Sequence, residues 1–402
     1  MNYDKTTFLE TLPRKKKWSL HPARSLLSKA GVNASKLEVI LVAGSNGKGS
    51  VCAILENALR ENNYKTGLYT SPHLFNVRER IRVNGKNISE KNFSKILKTL
   101  KPFVKKHNAK REEKLSFFEV LTVTAIKHFL DEKTDIAIIE TGMGGRLDAT
   151  NVLTPHVSVI TNVSLEHQSA LGETIEKIAR EKAGVIRQSA VLVTAAKGKA
   201  LNVLKKECKN KKSNLVAVKT QKRKITVALK GAFQQENASV ALAVLKELSK
   251  KGRPRLSQKA VQKGFESVKW QGRFETVGKN PVVVFDTAHN PAGAKALVDS
   301  LRAIFPKKKI VFVVAVMKDK NVEKIAGELS KIASFMVATK AKIAGKRNAS
   351  PSRIAKNAKC KVIREKDSRE ALKKAKKLAG KNGVVCVAGS LYLVGELRQL
   401  AT

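Results

Sequence analysis

One short loop in the sequence combines small residues with a single lysine in an arrangement that binds phosphate. The segment "GSNGKGS" follows the apolar run "LEVILVA" and precedes a helix-like pattern. Glycines let backbone N–H groups turn toward phosphate oxygens, a helix start adds partial positive charge, and Lys48 adds a full one. The common G-x-x-x-x-G-K-[ST] pattern fails, because Val42 stands at its first glycine and Gly49 follows the lysine. We predict a phosphate loop of unusual spacing rather than an ordinary strand-to-helix turn.

Three further residues whose types could do chemistry are associated with other apolar runs. Glu140 ends the run "TDIAIIE", where a buried carboxylate is unfavourable unless it binds a metal such as Mg²⁺ or caps backbone N–H groups. His167 follows the run "HVSVITNV", and Lys182 lies among apolar neighbours at the end of a helical pattern. Taken alone, this histidine is typical of a structural residue. The lysine alone is typical of one whose ammonium group reaches the surface.

A fourth polar group lies in the segment "VVVFDTAHNPAG". Asp286 and His289 stand between an apolar run and a helix that begins at Pro291, a residue suited to the first helical position. Asp286 could accept hydrogen bonds from a ribose. Equally, Asp286 and Asn290 could form a network that caps the helix. The residues alone leave both interpretations open.

The hydrophobic pattern indicates the elements that must position these residues. Short runs rich in Val and Ile alternate with amphipathic stretches along most of the sequence. Nearly continuous apolar runs are typical of strands buried on both faces of a parallel sheet. Their alternation with helices predicts a doubly wound α/β fold. We expect helices over about residues 49–61 and 117–129, and another beginning at residue 291.

A polar segment near residue 272 predicts a division into two domains. The segment "KWQGRFETVGKN" separates the first set of strands and helices from a second set that begins with "PVVVFD". We therefore place one domain at residues 1–272 and a second, smaller α/β domain at residues 273–402. A chain of 402 residues is long enough for such a division.

The net charge is strongly positive, at +46 from 79 basic and 33 acidic residues. Nucleic-acid binding is one interpretation of such a charge. The alternative, which we favour, is that lysines cover solvent-facing helices, as in "EALKKAKKLAGK". The basic residues are spread along the whole chain, and aromatic residues, which could stack on bases, make up only 5% of it. A positive field still attracts anions such as ATP or a glutamate chain.

Targeting signals and cysteine patterns are not apparent in the sequence. No apolar run reaches the length of a membrane-spanning helix, and the first residues lack the apolar core of a signal peptide, so we expect a cytoplasmic protein without membrane contact. The cysteines Cys52, Cys208, Cys360 and Cys386 are scattered. We expect buried, reduced thiols rather than disulfides or a metal site.

Eight segments together resemble the folylpolyglutamate synthase and dihydrofolate synthase family, within the wider group of Mur-type, ATP-dependent amide-forming ligases. They run in order over about residues 40–397: "VAGSNGKGS", "YTSPHLFNVRERIRVNG", "SFFEVLT", "ETGMGGRLDATN", "EHQSALGETIEKIAREKAGVI", "WQGRFE", "FDTAHNPAG" and "GSLYLVGELR". The resemblance implies an N-terminal ATPase domain with a mainly parallel sheet and a smaller, Rossmann-like C-terminal domain. The predicted domains then become an ATP-binding and central domain, and a glutamate-ligase domain.

The resemblance also implies roles for individual residues. It assigns ATP binding to Gly47, Lys48, Gly49, Ser50, Asn237, Arg273, Asp286 and His289. It assigns Mg²⁺ to Ser71, Glu140 and His167, and the pterin or folate substrate to Ser116, Phe117, Phe118, Glu119, Leu147, Asp148 and Ala149. Catalytic roles fall to Lys48, His167, Arg273 and Lys182, the last carboxylated by CO₂ so that its carbamate helps hold a second Mg²⁺. Gly49 is then a family feature that moves the hydroxyl to Ser50.

The function implied is the ATP-dependent joining of L-glutamate to dihydropteroate, to the glutamate tail of folates, or to both, through an acyl phosphate. A monomer with small-molecule substrates is expected, and nucleic acid is not. Three alternatives stay open at this point: a muramyl-peptide ligase, a nucleic-acid-binding ATPase suggested by charge, and a phosphate-loop kinase. Three positions depart from the frequent family residues, because Ser45 replaces Thr, Glu166 replaces Asp and Thr287 replaces Gly.

Overall fold

The computed structural model describes residues 7–13, 18–219, 225–250 and 256–400, and its contacts divide the chain into two compact units. The first unit comprises residues 1–226 and 236–268, and the second comprises residues 227–235 and 269–402. Each unit contains a mostly parallel sheet with helices, so the predicted α/β class is confirmed. The assignment of residues 227–235 to the second unit has no counterpart in the single division expected from the sequence.

Among the described residues, the first unit has a sheet of eight strands in the order β4-β3-β2-β5-β1-β6-β7-β8. The pairs β2–β3 and β3–β4 are antiparallel, and the other pairs are parallel. The strands are β1 (Val39–Ala43), β2 (Thr66–Tyr69), β3 (Ile81–Val83), β4 (Lys86–Asn87), β5 (Ile136–Glu140), β6 (Val157–Ile160), β7 (Val191–Thr194) and β8 (Asn214–Ala217).

The central strands of this sheet are the apolar runs identified in the sequence. Every residue of β1, β5 and β6 is buried, as expected for strands covered on both faces. Val42 pairs with Glu140, and Ala43 pairs with Ile160. The carboxyl ends of these parallel strands therefore meet at one edge of the sheet, where ligands bind in open α/β sheets.

Helices of the first unit follow the strands as the sequence predicts. The helix after the loop spans Lys48–Glu61, and the one expected at residues 117–129 spans Phe117–Asp131. The helices are α1 (Thr7–Glu10), α2 (His21–Lys29), α3 (Lys48–Glu61), α4 (Glu90–Lys110), α5 (Phe117–Asp131), α6 (Gln168–Leu171), α7 (Ile175–Ala183), α8 (Gly198–Asn210), α9 (Phe233–Lys250) and α10 (Gln258–Ser267). The first three residues of α9, 233–235, are assigned to the second unit.

The position of α3 is fixed by close packing against α10. The Asn57 amide donates hydrogen bonds to the Gly264 carbonyl at 2.6 Å and to the Ser267 hydroxyl at 2.9 Å. A Cβ on Gly264 would lie 2.5 Å from the Cα of Ala58, so only glycine permits this approach of the two helices. Because α3 begins with the lysine of the loop, this packing fixes the helix that carries Lys48 at its other end.

The second unit has its own sheet, with six described strands in the order β13-β12-β11-β14-β10-β9, antiparallel only between β9 and β10. The strands are β9 (Glu275–Val277), β10 (Val282–Phe285), β11 (Ile310–Val314), β12 (Phe335–Ala338), β13 (Lys361–Arg364) and β14 (Val384–Ala388). The helices are α11 (Pro291–Ile304), α12 (Val322–Ser330), α13 (Pro351–Asn357), α14 (Ser368–Ala379) and α15 (Leu391–Arg398).

Three of the four cysteines are buried, and the fourth is partly exposed. Cys52, Cys208 and Cys386 are buried free thiols, as expected, but Cys360 is only partly buried, because β13 begins next to it at the outer edge of the second sheet. Within the described residues, no helix is both long enough and apolar enough to cross a membrane.

The contact between α3 and α10 yields a stability prediction. Gly264→Ala should lower the urea midpoint of the first unit, because its Cβ would lie 2.5 Å from one backbone atom of Ala58 and 2.8 Å from another. Overpacking of this kind destabilises a protein by about 1–3 kcal/mol. Circular dichroism during urea denaturation measures the change.

The matched control is Gly327→Ala in α12, where an added Cβ meets no atom within 4 Å. Alanine in a helix interior is more favourable than glycine by up to about 1 kcal/mol, so this variant should be as stable as the parent or more stable. Equal losses of stability in both variants would contradict a specific close approach at Gly264.

Candidate active site

The loop between β1 and α3 has the backbone geometry of a phosphate-binding loop. Gly44 and Gly47 both lie in the positive-φ region, at φ +143° and +84°, and Gly47 is the N-terminal cap of α3. The Lys48 ammonium donates to the carbonyl oxygens of Gly44 at 2.9 Å and Ser45 at 3.4 Å. The lysine thus folds back over its own loop at the positive end of the helix, which favours anion binding.

The segment after β6 holds this loop in place. The Asn162 side chain accepts the Asn46 N–H at 2.9 Å, and the Thr161 hydroxyl donates to the Asn46 carbonyl at 2.6 Å. The Ser45 hydroxyl accepts the Ser164 N–H at 3.0 Å. The loop conformation is therefore set by tertiary hydrogen bonds as well as by its glycines.

Asn237 of α9 lies against the loop, although it is 190 residues away along the chain. A Cβ on Gly47 would overlap the Asn237 side-chain oxygen. Glycine at residue 47 is therefore required twice, by its positive φ and by this contact. Of the residues assigned to ATP by resemblance, the structure brings Asn237 together with Gly47.

Ser71 and Glu140 meet at the same edge of the sheet. Ser71 follows β2, Glu140 ends β5, and the two strands are parallel neighbours. The Ser71 N–H donates to Glu140 Oε2 at 2.9 Å, and Glu140 is 3% exposed. The buried carboxylate thus has a hydrogen-bond partner, and the hydroxyl-bearing residue beside it adds a second oxygen donor.

Lys182 differs from the surface lysine that its local sequence, taken alone, indicates. Instead of reaching the surface, it is 1% exposed, and its ammonium lies 2.8 Å from the Glu166 carboxylate. Burial disfavours the charged form of Glu166, yet Lys182 and Lys48 together lower the pKa of this carboxyl group to about 2. Burial lowers the pKa of the Lys182 ammonium to about 8. Both partners are charged at neutral pH and form a buried ion pair.

His167 follows Glu166 directly and is the N-terminal cap of α6, with left-handed angles of φ 46° and ψ 38°. Its carbonyl accepts the N–H groups of Ala170 and Leu171 at 2.8 and 2.9 Å. Such angles are uncommon for a residue other than glycine and mark a conformation imposed by its surroundings. Among the residues that the structure describes, no group of three or more His, Cys, Asp or Glu side chains could hold a metal.

The residues assigned to a pterin or folate surround the start of α5. Ser116 and Glu119 form a capping box, in which the Ser116 N–H and hydroxyl donate to Glu119 at 2.8 and 2.9 Å. The ring centroids of Phe118 and Tyr69 lie 6.0 Å apart. The guanidinium of Arg80 lies 5.2 Å from the centre of the Phe117 ring. Glu119 therefore orders the helix start, while the two phenylalanines contribute aromatic surface.

The segment after Glu140 packs against these aromatic rings. A Cβ on Gly142 would lie 2.6 Å from the Phe118 ring, so glycine lets the chain pass over it. Asp148 accepts the N–H groups of Met143 and Thr150 at 2.8 and 3.0 Å, while burial raises the pKa of this carboxyl group. Leu147 and Ala149 flank it, so the whole 147–149 set lies in a loop ordered by one buried carboxylate.

In the second unit, Arg273 and Asp286 lie on adjoining turns. Asp286 accepts the N–H groups of Phe274 at 2.9 Å and Ala288 at 2.8 Å, and burial raises its pKa. The cap of α11 is Asn290 alone, which accepts the Gly293 N–H at 2.7 Å. Of the capping network that the sequence left open, Asn290 forms the cap, whereas the Asp286 carboxylate joins the turn at residue 274 to the end of β10.

His289, on the same turn, uses its Nδ1 atom to bond the Thr287 carbonyl at 2.9 Å. Sequence reasoning did not identify two contacts of charged residues, from Lys182 to Glu166 and from Arg273 to the Thr287 hydroxyl. The only signal in the sequence was that Glu166 and Thr287 depart from frequent family residues. Sequence reasoning also did not identify the hydrogen bond that Arg80 Nε donates to His73 Nδ1 at 2.9 Å. The same guanidinium lies over the Phe117 ring.

Two family models match the chain. The Mur ligase middle domain matches residues 42–224, and the Mur ligase glutamate ligase domain matches residues 272–391. The dihydrofolate synthase/folylpolyglutamate synthase of Bacillus subtilis is 30% identical over 94% of this chain and 93% of that protein. The probable bifunctional folylpolyglutamate synthase/dihydropteroate synthase of Haloferax volcanii is 35% identical over 93% of this chain, which spans only 47% of that protein.

A solved structure gives the same relationship. The bifunctional folylpolyglutamate synthase/dihydrofolate synthase of Yersinia pestis, complexed with AMPPNP and a Mn ion, matches with a TM-score of 0.86 and 28% identity. The match covers 98% of this chain and 97% of that one. Similarity therefore extends over both units and not over the phosphate loop alone.

The buried ion pair yields a prediction that does not depend on activity. Lys182→Met should lower the free energy of unfolding by about 3–5 kcal/mol, because Glu166 is left charged and buried without a partner. Adding Glu166→Gln to this variant should restore much of the loss. Thermal unfolding of the single and double variants measures both effects.

The control pair is Arg146 and Glu181, which lie 2.8 Å apart with side chains 56% and 25% exposed. Glu181→Gln should change stability by less than about 1 kcal/mol, because solvent screens this pair. If Glu181→Gln and Lys182→Met lowered the free energy of unfolding by similar amounts, burial would not determine how much the Lys182–Glu166 pair contributes to stability.

Proposed function

Because the chain belongs to the dihydrofolate synthase/folylpolyglutamate synthase family, we propose that it joins L-glutamate to dihydropteroate and to the glutamate tail of folates with hydrolysis of ATP to ADP and phosphate. The observation that supports this most directly is the phosphate loop with Lys48, one strand away from buried Glu140. Loop and carboxylate lie at the same end of neighbouring parallel strands, where a nucleotide phosphate and a divalent cation could be held together.

In the proposed reaction, the ATP phosphates bind at the N-terminus of α3 and are bonded by the N–H groups of Gly47, Gly49 and Ser50. A carboxylate oxygen of the pteroate or folate substrate attacks the γ-phosphorus, the bond to ADP breaks, and an acyl phosphate forms. The amine of L-glutamate then attacks the acyl carbon, phosphate leaves, and the amine loses a proton. Lys48 supplies positive charge to the transferring phosphoryl group, and the rest of the catalysis is positioning. From the family resemblance, Arg273 of the second unit is proposed as a further catalytic residue.

Ser71, Glu140 and His167 are the residues proposed to hold Mg²⁺. The donor set fits a hard cation, because Glu140 is a buried carboxylate and Ser71 is adjacent to it through a 2.9 Å hydrogen bond. Phosphate oxygens and water would complete the coordination, since Mg²⁺ is usually held by few protein ligands. The bound ion would neutralise phosphate charge and orient the terminal phosphate.

Lys182 is proposed to be carboxylated in the active enzyme. Burial lowers the pKa of its ammonium to about 8, so the neutral amine that can attack CO₂ is accessible. The reaction forms an N–C bond to the carbamate and releases one proton. The new anion would face Glu166, and a second Mg²⁺ that the carbamate helps to hold would offset the repulsion between the two anions.

The pterin or folate is proposed to bind along the start of α5, near Ser116, Phe117, Phe118 and Glu119, and beside the loop of Leu147, Asp148 and Ala149. Aromatic faces suit a flat heterocycle. In the second unit, Arg273, Asp286 and His289 are proposed ATP contacts from the family resemblance. In the first unit, Asn237 is a proposed ATP contact on the same ground. From the sequence, we also propose that the protein is a cytoplasmic monomer, and that it acts on small molecules and not on nucleic acid.

The first test is Lys48→Ala. We expect L-glutamate-dependent release of ADP to fall by about 100-fold or more, because an electrostatic contact to the transferring group is lost. The assay should be run with dihydropteroate and, separately, with tetrahydrofolate, which also separates the two activities. Lys199→Ala, whose side chain in the parent is 79% exposed, is the matched control and should be fully active. Near-normal turnover by Lys48→Ala would contradict the proposed role of the loop.

The second test concerns the carbamate. Lys182→Ala should retain little activity at a temperature where it is folded, and added acetate or formate should restore part of it by supplying the missing carboxylate. The same acids should not stimulate the parent enzyme. Full activity of Lys182→Ala without added acid would rule out the carbamate role.

A further inference from the structure

A threonine in the second unit makes a hydrogen bond to the arginine that the proposed function assigns to ATP. Arg273 Nη1 donates to Thr287 Oγ1. Within the described ranges, this hydroxyl is the only atom that accepts a hydrogen bond from the Arg273 guanidinium. Thr287 is 1% exposed, so its hydroxyl is a fixed part of the interior and not a mobile surface group.

The backbone around both residues is held at several points. The Thr287 N–H donates to the Gly272 carbonyl at 3.0 Å, which joins the residue before Arg273 to the residue that accepts its side chain. Asp286 accepts the Phe274 N–H, and Phe274 has a positive φ of 50°. The two turns are therefore tied together on both sides of the arginine, and the acceptor hydroxyl has a fixed distance from the arginine backbone.

The next acidic group does not replace this acceptor. Asp286 carries charge near Arg273, and this charge interaction counteracts the increase in the pKa of Asp286 caused by burial. Its oxygens accept the N–H groups of Phe274 and Ala288, and no hydrogen bond joins them to the guanidinium within the described residues. The carboxylate thus attracts the guanidinium without fixing its rotation, whereas the hydroxyl supplies a directional contact.

Threonine suits this task for two physical reasons. Its branched Cβ restricts χ1, so the hydroxyl keeps one direction. An arginine side chain otherwise loses rotamer entropy when it is ordered by a ligand, and a partner that orders it beforehand reduces that loss.

We propose that Thr287 is a positioning residue, which holds the Arg273 guanidinium ready for an anionic nucleotide phosphate. The inference rests on the proposed role of Arg273 in ATP binding and adds a residue to it. Thr287 itself need not touch the nucleotide. Its hydroxyl takes one of the five guanidinium N–H donors and leaves four for the ligand.

The test compares Thr287→Ala, which removes the hydroxyl, with Thr287→Ser, which keeps it. Thr287→Ala should weaken ADP binding in calorimetry and raise KM for ATP, each by about fivefold, as expected for one lost hydrogen bond, and it should also lower kcat, because Arg273 is a proposed catalytic residue. Thr287→Ser should bind ADP like the parent. Thr339→Ala removes another buried threonine hydroxyl of the same unit, bonded to the Lys366 carbonyl at 3.5 Å, and should leave ADP affinity unaltered.

A second comparison separates positioning from general stability. In an Arg273→Ala background, Thr287→Ala should cause no further loss of ADP affinity, because the group that it positions is absent. Full ADP affinity in Thr287→Ala, equal weakening in Thr287→Ser, or a further loss in the Arg273→Ala background would each overturn the inference.

Failure of the proposed function has a different signature. If the parent binds ADP but does not release it in a glutamate-dependent reaction, the ligase proposal fails while calorimetry still reports on Thr287. If the parent binds no ADP, both proposals are overturned.

Discussion

The register of three parallel strands is the constraint on which the first unit's candidate site depends. Val42 of β1 pairs with Glu140 of β5, and β2 pairs with β5 on its other side. This register brings the phosphate loop, Glu140 and Ser71 to one edge of the sheet. A shift by one residue would turn Glu140 to the opposite face, since successive side chains of a strand alternate. Because β1 and β5 are buried on both faces, an acid is unfavourable within them. The position of Glu140 at the last residue of β5 therefore indicates a functional role.

Polar residues at that edge are retained in the interior because each has a partner. The Lys48 ammonium bonds to loop carbonyls, Glu140 accepts the Ser71 N–H, and the Glu166 carboxylate accepts a hydrogen bond from the Lys182 ammonium. An unpaired buried charge would cost several kcal/mol. These contacts explain how an edge rich in charge can exist inside a folded unit, and they keep the side chains in defined orientations for an anionic ligand.

Much of the fold could be predicted from the sequence because it depends on local patterns. The apolar runs of β1, β5 and β6 and the helix after the loop follow from hydrophobic periodicity alone. Contacts between distant residues could not be derived in this way. Taken alone, Lys182 is typical of a surface lysine, because nothing in its helix indicates that Glu166, sixteen residues earlier, reaches it. Asn237 became a candidate only through family resemblance, since no spacing rule links it to Gly47.

Buried carboxylates in both units show why residue type and position do not by themselves define a ligand contact. Asp148 and Asp286 each accept two backbone N–H groups and so order the loops that carry Leu147 and Arg273. Asp148 also accepts the Thr150 hydroxyl, whereas a carboxylate has about four lone-pair sites, so the two backbone bonds of Asp286 still leave acceptors for a ligand. An acid of this kind can therefore hold its loop and accept a ligand hydroxyl at the same time. The hydrogen bonds of Asp286 order the turn that carries Arg273 before any nucleotide binds. A direct hydrogen bond from Asp286 to the nucleotide would therefore use a carboxylate whose position the backbone has already fixed.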